Sequence, residues 1–357
     1  MKKVIFISAL AIAAAVSCTK SDIVDTKFNE AIGFETYVGR DAMTKVAPAT
    51  ETSVQGTGFG VYGFYTGTDT YTQGTTKTNL WANDEVSYSA GEWVPATPKY
   101  WTNESDQYTF LAYAPYADSE TSNGISEMPT ELGQVNPSIK FTVNQTLADQ
   151  VDLLYSNNLT NTTKTKGTAL LFKHALSRIT VKASEANADY EYTVTAISLA
   201  GKFNTTDVLT LADGVWATNG AAATATEIYS ITTTSVNVPD TRTAGTVAHD
   251  FAGTDKSNYL MVIPTNLTGD NASVLSVTYT TTFDGHTSNP MTKTLPIAIN
   301  FQEGKAYSIN LVFEPNTTDL IKFTVTVDAW RAEGEGAADN SETEVPGGNP
   351  VTGTPVA

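Results

Sequence analysis

The sequence predicts an all-β protein, and three features of the chain support this prediction. Tyr, Phe, Gly and β-branched residues are abundant, whereas only 17% of the residues are charged. Strands favour β-branched and aromatic residues, while long amphipathic helices need Ala, Leu, Glu and Lys. Short segments also alternate apolar and polar residues, with Gly, Asn and Asp between them. This arrangement is typical of β-sandwiches rather than βαβ units.

The N-terminus predicts export. Two lysines precede an apolar run over residues 4–16, which is shorter than the ~20 residues that a membrane-spanning helix needs. The run ends in Ala15–Cys18, as a bacterial lipoprotein signal does, although Leu is more usual than Ala at the first of these positions. We interpret residues 1–17 as a signal peptide and Cys18 as the lipidated residue. The alternative is an ordinary signal peptide that is cleaved nearby.

Cys18 is the only cysteine, so no disulfide can form within the chain and a hydrophobic core must stabilise the fold. The polar residues 18–30 are predicted to be a flexible, lipidated tether. Length predicts two domains, with one large domain as the alternative. The polar stretch at 184–189 separates them, which gives an N-terminal sandwich over 31–183 and a C-terminal sandwich over 184–330.

Period-2 alternation predicts the strands of both domains. The segments share an apolar face, and they are 59–65, 108–113, 190–194, 275–283, 307–313 and 321–327. Asp284-Gly285 adds a hairpin signal after one of them. Residues 331–357 are acidic, rich in Gly and Pro and poor in hydrophobic residues. Alone, such a tail is expected to be disordered.

The composition and motifs argue against several classes of function. A formal charge of −17 repels phosphate, so general electrostatic binding of nucleic acid is excluded. The three histidines lack a metal-ligand spacing, and no nucleophile or phosphate-binding motif occurs. We therefore predict no catalytic residue, no metal site and no cofactor. One alternative, a glycan-binding surface lipoprotein, would use Trp81, Trp93, Trp101 and Trp216 as sugar platforms if these side chains were exposed.

Five stretches follow one another in order along almost the whole predicted mature chain. They are Ile32–Lys45 after Cys18, Gly60–Tyr65, Trp93–Pro115, Leu171–Ile179, and Gly304–Ile309 with the closing Val325–Trp330. In this order they resemble the fimbrillin family, which comprises subunits of lipoprotein-derived pili on anaerobic gut and oral bacteria. The resemblance implies two tandem Greek-key β-sandwiches of the transthyretin-like type and a structural, non-enzymatic role.

The resemblance also implies a mechanism of assembly. The precursor is lipidated, held at the outer membrane and then cut by a trypsin-like protease, which removes the first strand. The open groove is filled by a strand from a neighbouring subunit. Repeated head-to-tail addition of other pilin subunits, including copies of this chain, grows an extracellular fimbrium that supports adhesion and biofilm formation.

Carried over to this chain, the removable strand is 31–38, with Ile32 and Phe34 in the groove. Cleavage is expected at Arg40, with Lys45 as the second choice. The alternative for Arg40 is a plain surface arginine.

The donor segment is less clear from the sequence. The tail offers only Val345, Val351 and Val356 as apolar anchors, and Pro346, Pro350 and Pro355 interrupt its hydrogen bonding. The donor is therefore this tail or the segment 321–330, or else the subunit does not donate. We favour a stalk subunit. A tip adhesin that binds a host or bacterial surface ligand is the alternative within the family, whereas an anchor would keep its lipid and lack the cleavage.

Overall fold

A computed structural model describes most of the chain between Glu30 and Trp330. The described residues are 30–38, 51–102, 105–118, 123–161, 167–186, 189–232, 234–242, 246, 248–251, 260–314 and 321–330. They form 23 strands, one α-helix, α1 (Glu51–Thr57), and short 3-10 turns. In this part of the chain, no helix is long and apolar enough to cross a membrane. The all-β prediction is confirmed.

The N-terminal half contains nine strands. They are β1 (Phe34–Val38), β2 (Phe59–Gly67), β3 (Trp81–Ser89), β4 (Glu92–Pro95), β5 (Gln107–Ala114), β6 (Ile125–Glu127), β7 (Ser138–Thr142), β8 (Leu154–Asn161) and β9 (Thr168–His174). Seven of them form one sheet that closes on itself in the order β1-β4-β3-β2-β5-β8-β9. We call it the closed sheet. Adjacent strands within the closed sheet pair antiparallel, except that β1 runs parallel to β9.

Aromatic side chains fill the interior of the closed sheet. Phe34, Phe59, Trp81, Phe110 and Phe172 belong to one buried apolar cluster there. Strand β2 passes close to this cluster, because a Cβ on Gly63 would lie 2.6 Å from the Trp81 ring. Glycine is therefore required at that point of β2.

The C-terminal half contains the remaining strands. They are β10 (Ser177–Glu185), β11 (Glu191–Gly201), β12 (Thr206–Thr210), β13 (Glu227–Thr232), β14 (Val236–Asn237), β15 (His249–Asp250), β16 (Leu260–Val262), β17 (Asn266–Leu267), β18 (Ser273–Phe283), β19 (His286–Thr287), β20 (Met291–Ile297), β21 (Ile299–Asn300), β22 (Lys305–Phe313) and β23 (Ile321–Ala329).

Two sheets in this half face each other across a second core. A five-stranded sheet has the order β15-β10-β22-β23, with β16 also on β10, and a six-stranded sheet has the order β13-β11-β18-β19, with β14 and β20 also attached. Apolar residues of both sheets form one buried cluster between them, as in a β-sandwich. In the five-stranded sheet, β10 and β22 pair parallel.

A third core joins the two halves. Strand β12 pairs antiparallel with β7, which carries a small sheet across from one half to the other. The buried cluster beneath it combines Tyr62 and Tyr113 of the closed sheet with Trp216, Met261 and Trp330 of the C-terminal half. The halves are thus linked by packing as well as by the chain.

The finer division into domains remains a prediction. The two tandem Greek-key sandwiches are not established, since the N-terminal strands close into one sheet rather than forming two separate ones. Strand β10 also runs through the predicted boundary at 183/184, because it spans Ser177–Glu185 and belongs wholly to the C-terminal sheet. The closed sheet ends with His174, so the change between halves falls at Ala175 and Leu176.

Candidate functional site

The first strand is an integral member of the closed sheet. On one side, five residues of β1 pair in parallel register with β9, from Phe34 opposite Thr168 to Val38 opposite Phe172. On the other side the contacts are antiparallel. The Ile32 N–H donates to the Lys99 carbonyl at 2.8 Å, and Phe34 lies opposite Trp93. The strand therefore fills a gap between β9 and the segment that contains β4.

The side chains of this segment alternate between the interior of the closed sheet and its outside. Ile32, Phe34, Thr36 and Val38 are all buried, whereas the Glu35 side chain is exposed. This period of two is what the sequence predicts for a strand with one buried face. Ile32 and Phe34 are thus buried inside the closed sheet, and the removal of their strand stays a prediction.

Phe34 sits in an aromatic pocket. Its ring centroid lies 5.7 Å from that of Phe59, 5.9 Å from that of Trp81 and 5.4 Å from that of Phe110. Two of these contacts are edge-to-face, which is a favourable geometry for aromatic pairs. The pocket is built from β2, β3 and β5, so Phe34 binds the first strand to the far side of the closed sheet.

Removal of the first strand would expose a large apolar surface. Burial of an Ile, Phe or Val side chain stabilises a fold by about 1.5–3 kcal/mol each. Three such side chains therefore account for a large part of the roughly 5–15 kcal/mol that a whole domain has. The closed sheet without β1 would be open at two strand edges and would need another strand in the same place.

Thr36 is the exception in this inward row. Its side chain is 2% exposed, and its hydroxyl has no hydrogen-bond partner within the described part of the chain. Sequence reasoning did not single it out, because a Thr at an inward position of a strand is common. Its position two residues after Phe34, on the inward face of the strand, was the signal that could have identified it.

The last described strand, β23, is an edge of the five-stranded sheet. It pairs antiparallel with β22 along its whole length, from Ile321 opposite Phe313 to Ala329 opposite Lys305. No strand pairs with its other side among the residues that the structure describes. Ile321 is buried, but Phe323, Val325 and Val327 are only partly buried against the C-terminal core.

Trp330 fixes the end of β23 to the junction between the two halves. Its ring stacks on that of His174 with centroids 4.0 Å apart and planes 5° apart. The Arg178 guanidinium lies 5.4 Å from the Trp330 ring centroid. The backbone N–H of Trp330 donates to the Gly304 carbonyl. His174 is itself held by Asp152, whose carboxylate lies 2.9 Å from Nδ1.

Several predicted site residues lie outside the described residues. They are the lipidation site Cys18, the cleavage sites Arg40 and Lys45, and the tail residues Val345, Val351 and Val356. Strand β1 ends at Val38, two positions before Arg40. The structure makes no statement on these predictions.

The glycan-binding alternative required four exposed tryptophans, and this condition is not met. Trp81, Trp93, Trp101 and Trp216 are 2%, 6%, 1% and 4% exposed, because they pack into the cores of the closed sheet and the junction. A polar surface cavity of about 490 Å³ is present, but Thr and Asp69 line it and no aromatic side chain does. Across the described ranges, no three His, Cys, Asp or Glu side chains are grouped as metal ligands.

The comparisons with known proteins agree with this architecture. Residues 44–330 match the fimbrillin-like family. Fimbrium subunit Fim1C of Phocaeicola vulgatus is 23% identical over 192 residues, which are 50% of each chain, so the chain spans half the length of this curated relative. The crystal structure of a fimbrial protein from Bacteroides vulgatus has a TM-score of 0.67 and 21% identity, and the match covers 85% of this chain and 100% of that one.

The structural match shows a shared fold, and the family match extends over most of the chain, from residue 44 to Trp330. The matched range includes strands β2 to β23 and begins after β1, which ends at Val38. The chain belongs to the fimbrillin-like family.

Proposed function

We propose that this protein is a stalk subunit of a cell-surface pilus that polymerises by exchange of its first strand. In this proposal the precursor is exported, lipidated at Cys18 and held at the outer membrane. Cleavage at Arg40, or at Lys45, then separates β1 from the rest of the chain. The role is structural and needs no catalytic residue or cofactor. Its partners are other pilin subunits, including copies of this chain.

One observation carries the proposal. The first strand and the preceding Ile32 fill the closed sheet with four buried side chains. The covalent connection of this segment to the rest of the fold passes through the predicted cleavage site. A cut there leaves β1 held by noncovalent contacts alone. An incoming strand can then take over both its main-chain hydrogen bonds and its pockets, which is the mode of binding known as strand addition.

The donor in this proposal is β23 rather than the tail. Its inward residues are Ile321, Phe323, Val325 and Val327. Those of β1 are Phe34, Thr36 and Val38, with Ile32 in line just before the strand. Ile, Phe and Val thus recur at the same spacing in both strands. The tail offers three separated valines and no aromatic side chain for the Phe34 pocket. Strand β23 also has partly exposed apolar side chains, and one of its edges has no partner strand within the described ranges.

The first experiment tests cleavage and assembly together. A soluble chain that begins at Thr19 is digested with trypsin and followed by mass spectrometry and electron microscopy. We expect a cut at Arg40, then SDS-resistant ladders and filaments, and loss of both in Arg40→Ala combined with Lys45→Ala. Arg242→Ala, which removes another exposed arginine, is the matched control and should assemble normally. A cut product that stays monomeric with β1 bound would contradict the stalk role.

A second experiment identifies the donor by cross-linking. If β23 replaces β1 in the same direction, Thr324 takes the place of Glu35 and lies beside Ala169 of the neighbouring subunit. Ala169→Cys combined with Thr324→Cys should then form intersubunit disulfides on mild oxidation. Moving the second cysteine to Thr326 is the register control and should reduce the yield. Loss of assembly after Val345, Val351 and Val356 are all replaced by Ser would instead assign the donor to the tail.

No specific observation favours the glycan-binding alternative, because the four tryptophans that supported it are buried. A tip adhesin differs from a stalk subunit in that it accepts a strand without donating one. Absence of both the cross-link and filaments, with normal cleavage and loss of β1, would therefore favour the tip role.

A further inference from the structure

Thr36 places an unpaired hydroxyl inside the closed sheet. The residue lies in the inward row between Phe34 and Val38 and pairs in register with Leu170 of β9. It is 2% exposed, and Oγ1 has no hydrogen-bond partner in the part of the chain that the structure describes. Its neighbours in the inward row, Phe34 and Val38, belong to a buried cluster of aromatic and aliphatic side chains. The Thr36 hydroxyl is thus shielded from water and, among the described residues, forms no hydrogen bond in place of those to water.

Other buried threonines of this half do find partners. The Thr109 hydroxyl donates to the Leu159 carbonyl at 2.5 Å. The Thr78 hydroxyl accepts from the N–H groups of Gly133 and Gln134 at 2.9 and 3.0 Å. A buried hydroxyl that loses its bonds to water without gaining others destabilises the fold, whereas a valine of the same shape carries no such cost. Thr36 is therefore an unfavourable residue for the site that it occupies.

We infer that Thr36 makes β1 the weaker occupant of its own groove, and that the pocket around it selects an aliphatic side chain in the strand that replaces β1. This inference rests on the strand exchange proposed above. It states what sets the direction of that exchange and which chemistry the incoming strand needs. Cleavage alone makes exchange possible, but it does not favour the new strand over the old one. The new strand is favoured because it places an aliphatic side chain, rather than the Thr36 hydroxyl, in this single pocket.

Strand β23 of a second copy has the required residue. Aligned on Ile32 and Phe34, its inward residues differ in type from those of the first-strand segment only at Val325, which falls on the Thr36 position.

The order of the side chains also fixes the direction in which the strand enters. A strand entering in reverse would bring Phe323 to the Thr36 pocket and leave a valine in the aromatic pocket of Phe34. The incoming strand therefore runs parallel to β9, as β1 does.

The first test uses the intact chain and does not depend on exchange. Thr36→Val should raise the equilibrium constant for folding of the closed sheet by about tenfold, measured by urea unfolding. Thr109→Val is the matched control and should lower it, because that hydroxyl has a partner. Thr36→Ser, which keeps the hydroxyl and loses the methyl group, should not stabilise. A Thr36→Val variant that is unchanged or less stable overturns the inference.

The second test measures exchange directly on the trypsin-cleaved chain. The probes are a synthetic peptide with the sequence of residues 320–328, the same peptide with Val325→Thr, and the first peptide in reversed order. The first should displace β1, the Val325→Thr peptide should do so about tenfold less well, and the reversed peptide should be the poorest. Thr36→Val in the protein should slow displacement by a similar factor.

The outcomes separate this inference from the proposed function. Equal displacement by the Val and Thr peptides leaves strand exchange standing and overturns the role of Thr36. If no peptide displaces β1 and the cleaved chain does not assemble, the proposed exchange fails, and the inference that rests on it fails with it.

Discussion

The first strand and the last described strand carry nearly the same inward residues but are held in different ways. Strand β1 has a partner on each side, and with the preceding Ile32 it places four buried side chains inside the closed sheet. Among the described residues, strand β23 has a partner on one side only, and three of its four inward side chains are partly exposed. Because the residue types match, the difference in burial comes from the sheets and not from the strands.

This comparison shows how one sequence pattern can serve two states of a chain. An alternating segment can pair with any edge that offers pockets at the same spacing, since its register is set by its inward face. Strand β1 could be replaced by a segment of the same pattern, and β23 could leave its sheet more easily than β1 could. The measurements below rank how firmly each strand is held.

The largest expected effect is at the aromatic pocket of β1. Phe34→Ala should lower the free energy of unfolding by about 3–5 kcal/mol, because it leaves a cavity among three aromatic rings. Phe323→Ala in β23 should cost about 1–2 kcal/mol, since that side chain is only partly buried. Urea unfolding monitored by tryptophan fluorescence measures both. Equal costs would mean that β23 is held as firmly as β1.

A smaller effect is expected at the end of β23. Trp330→Ala removes the stack on His174 and the contact with Arg178, and we expect a loss of roughly 2–3 kcal/mol. Hydrogen exchange should become faster in β23 and remain unchanged in β1. Trp330→Phe keeps a ring at this position and should retain most of the protection. Uniform acceleration across both strands would contradict a local role for Trp330.

The smallest effect concerns Glu303. It precedes Gly304, whose carbonyl accepts a hydrogen bond from the backbone N–H of Trp330. Burial raises the pKa of Glu303 above its ordinary value of 4.5, although the Tyr155 hydroxyl, 2.5 Å away, and Lys173 oppose this. A raised folded-state pKa means that the folded chain binds the proton more tightly than the unfolded chain does. Stability therefore falls as the pH rises from about 4.5 through the raised pKa.

Glu303→Gln should remove that dependence. The variant is expected to have a slightly higher Tm than the wild type at pH 7 and the same Tm at pH 4, measured by differential scanning calorimetry. Asp270→Asn, on the exposed turn before β18, is a control for the general effect of charge. A variant that is less stable at pH 7 would mean that the attraction to Lys173 outweighs burial.

Local patterns in the sequence predicted the strands but not their partners. The alternation over 275–283, 307–313 and 321–327 marked strands β18, β22 and β23, and Ile32 and Phe34 were placed on the inward face. Period 2 identifies a buried face, but it does not say which strand lies alongside. The parallel pairing of β1 with β9, more than 130 positions away, and the closure of the sheet were therefore not foreseen.

The same limit applies to the tryptophans, the predicted domain boundary and the short helix. A tryptophan in an alternating segment has a buried or an exposed face depending on the neighbouring sheet, so Trp81 and Trp93 could not be assigned from their own positions. The boundary was placed at a polar stretch, Ser184–Asp189, that begins at the end of strand β10. The short helix α1 has only seven residues, too few for a helical period to appear in the sequence.

The two parallel pairings have a mechanical consequence. Strands β9 and β10 are separated only by Ala175 and Leu176, both fully buried, and each has one parallel neighbour, β1 or β22. A pull along parallel strands, applied at opposite ends, loads all their hydrogen bonds in shear at once rather than opening them one by one. Tension that enters through the occupant of the first-strand site would therefore pass through residues 168–185 into the C-terminal sheet. In the assembly proposed above, that short stretch would carry the load from one subunit to the next.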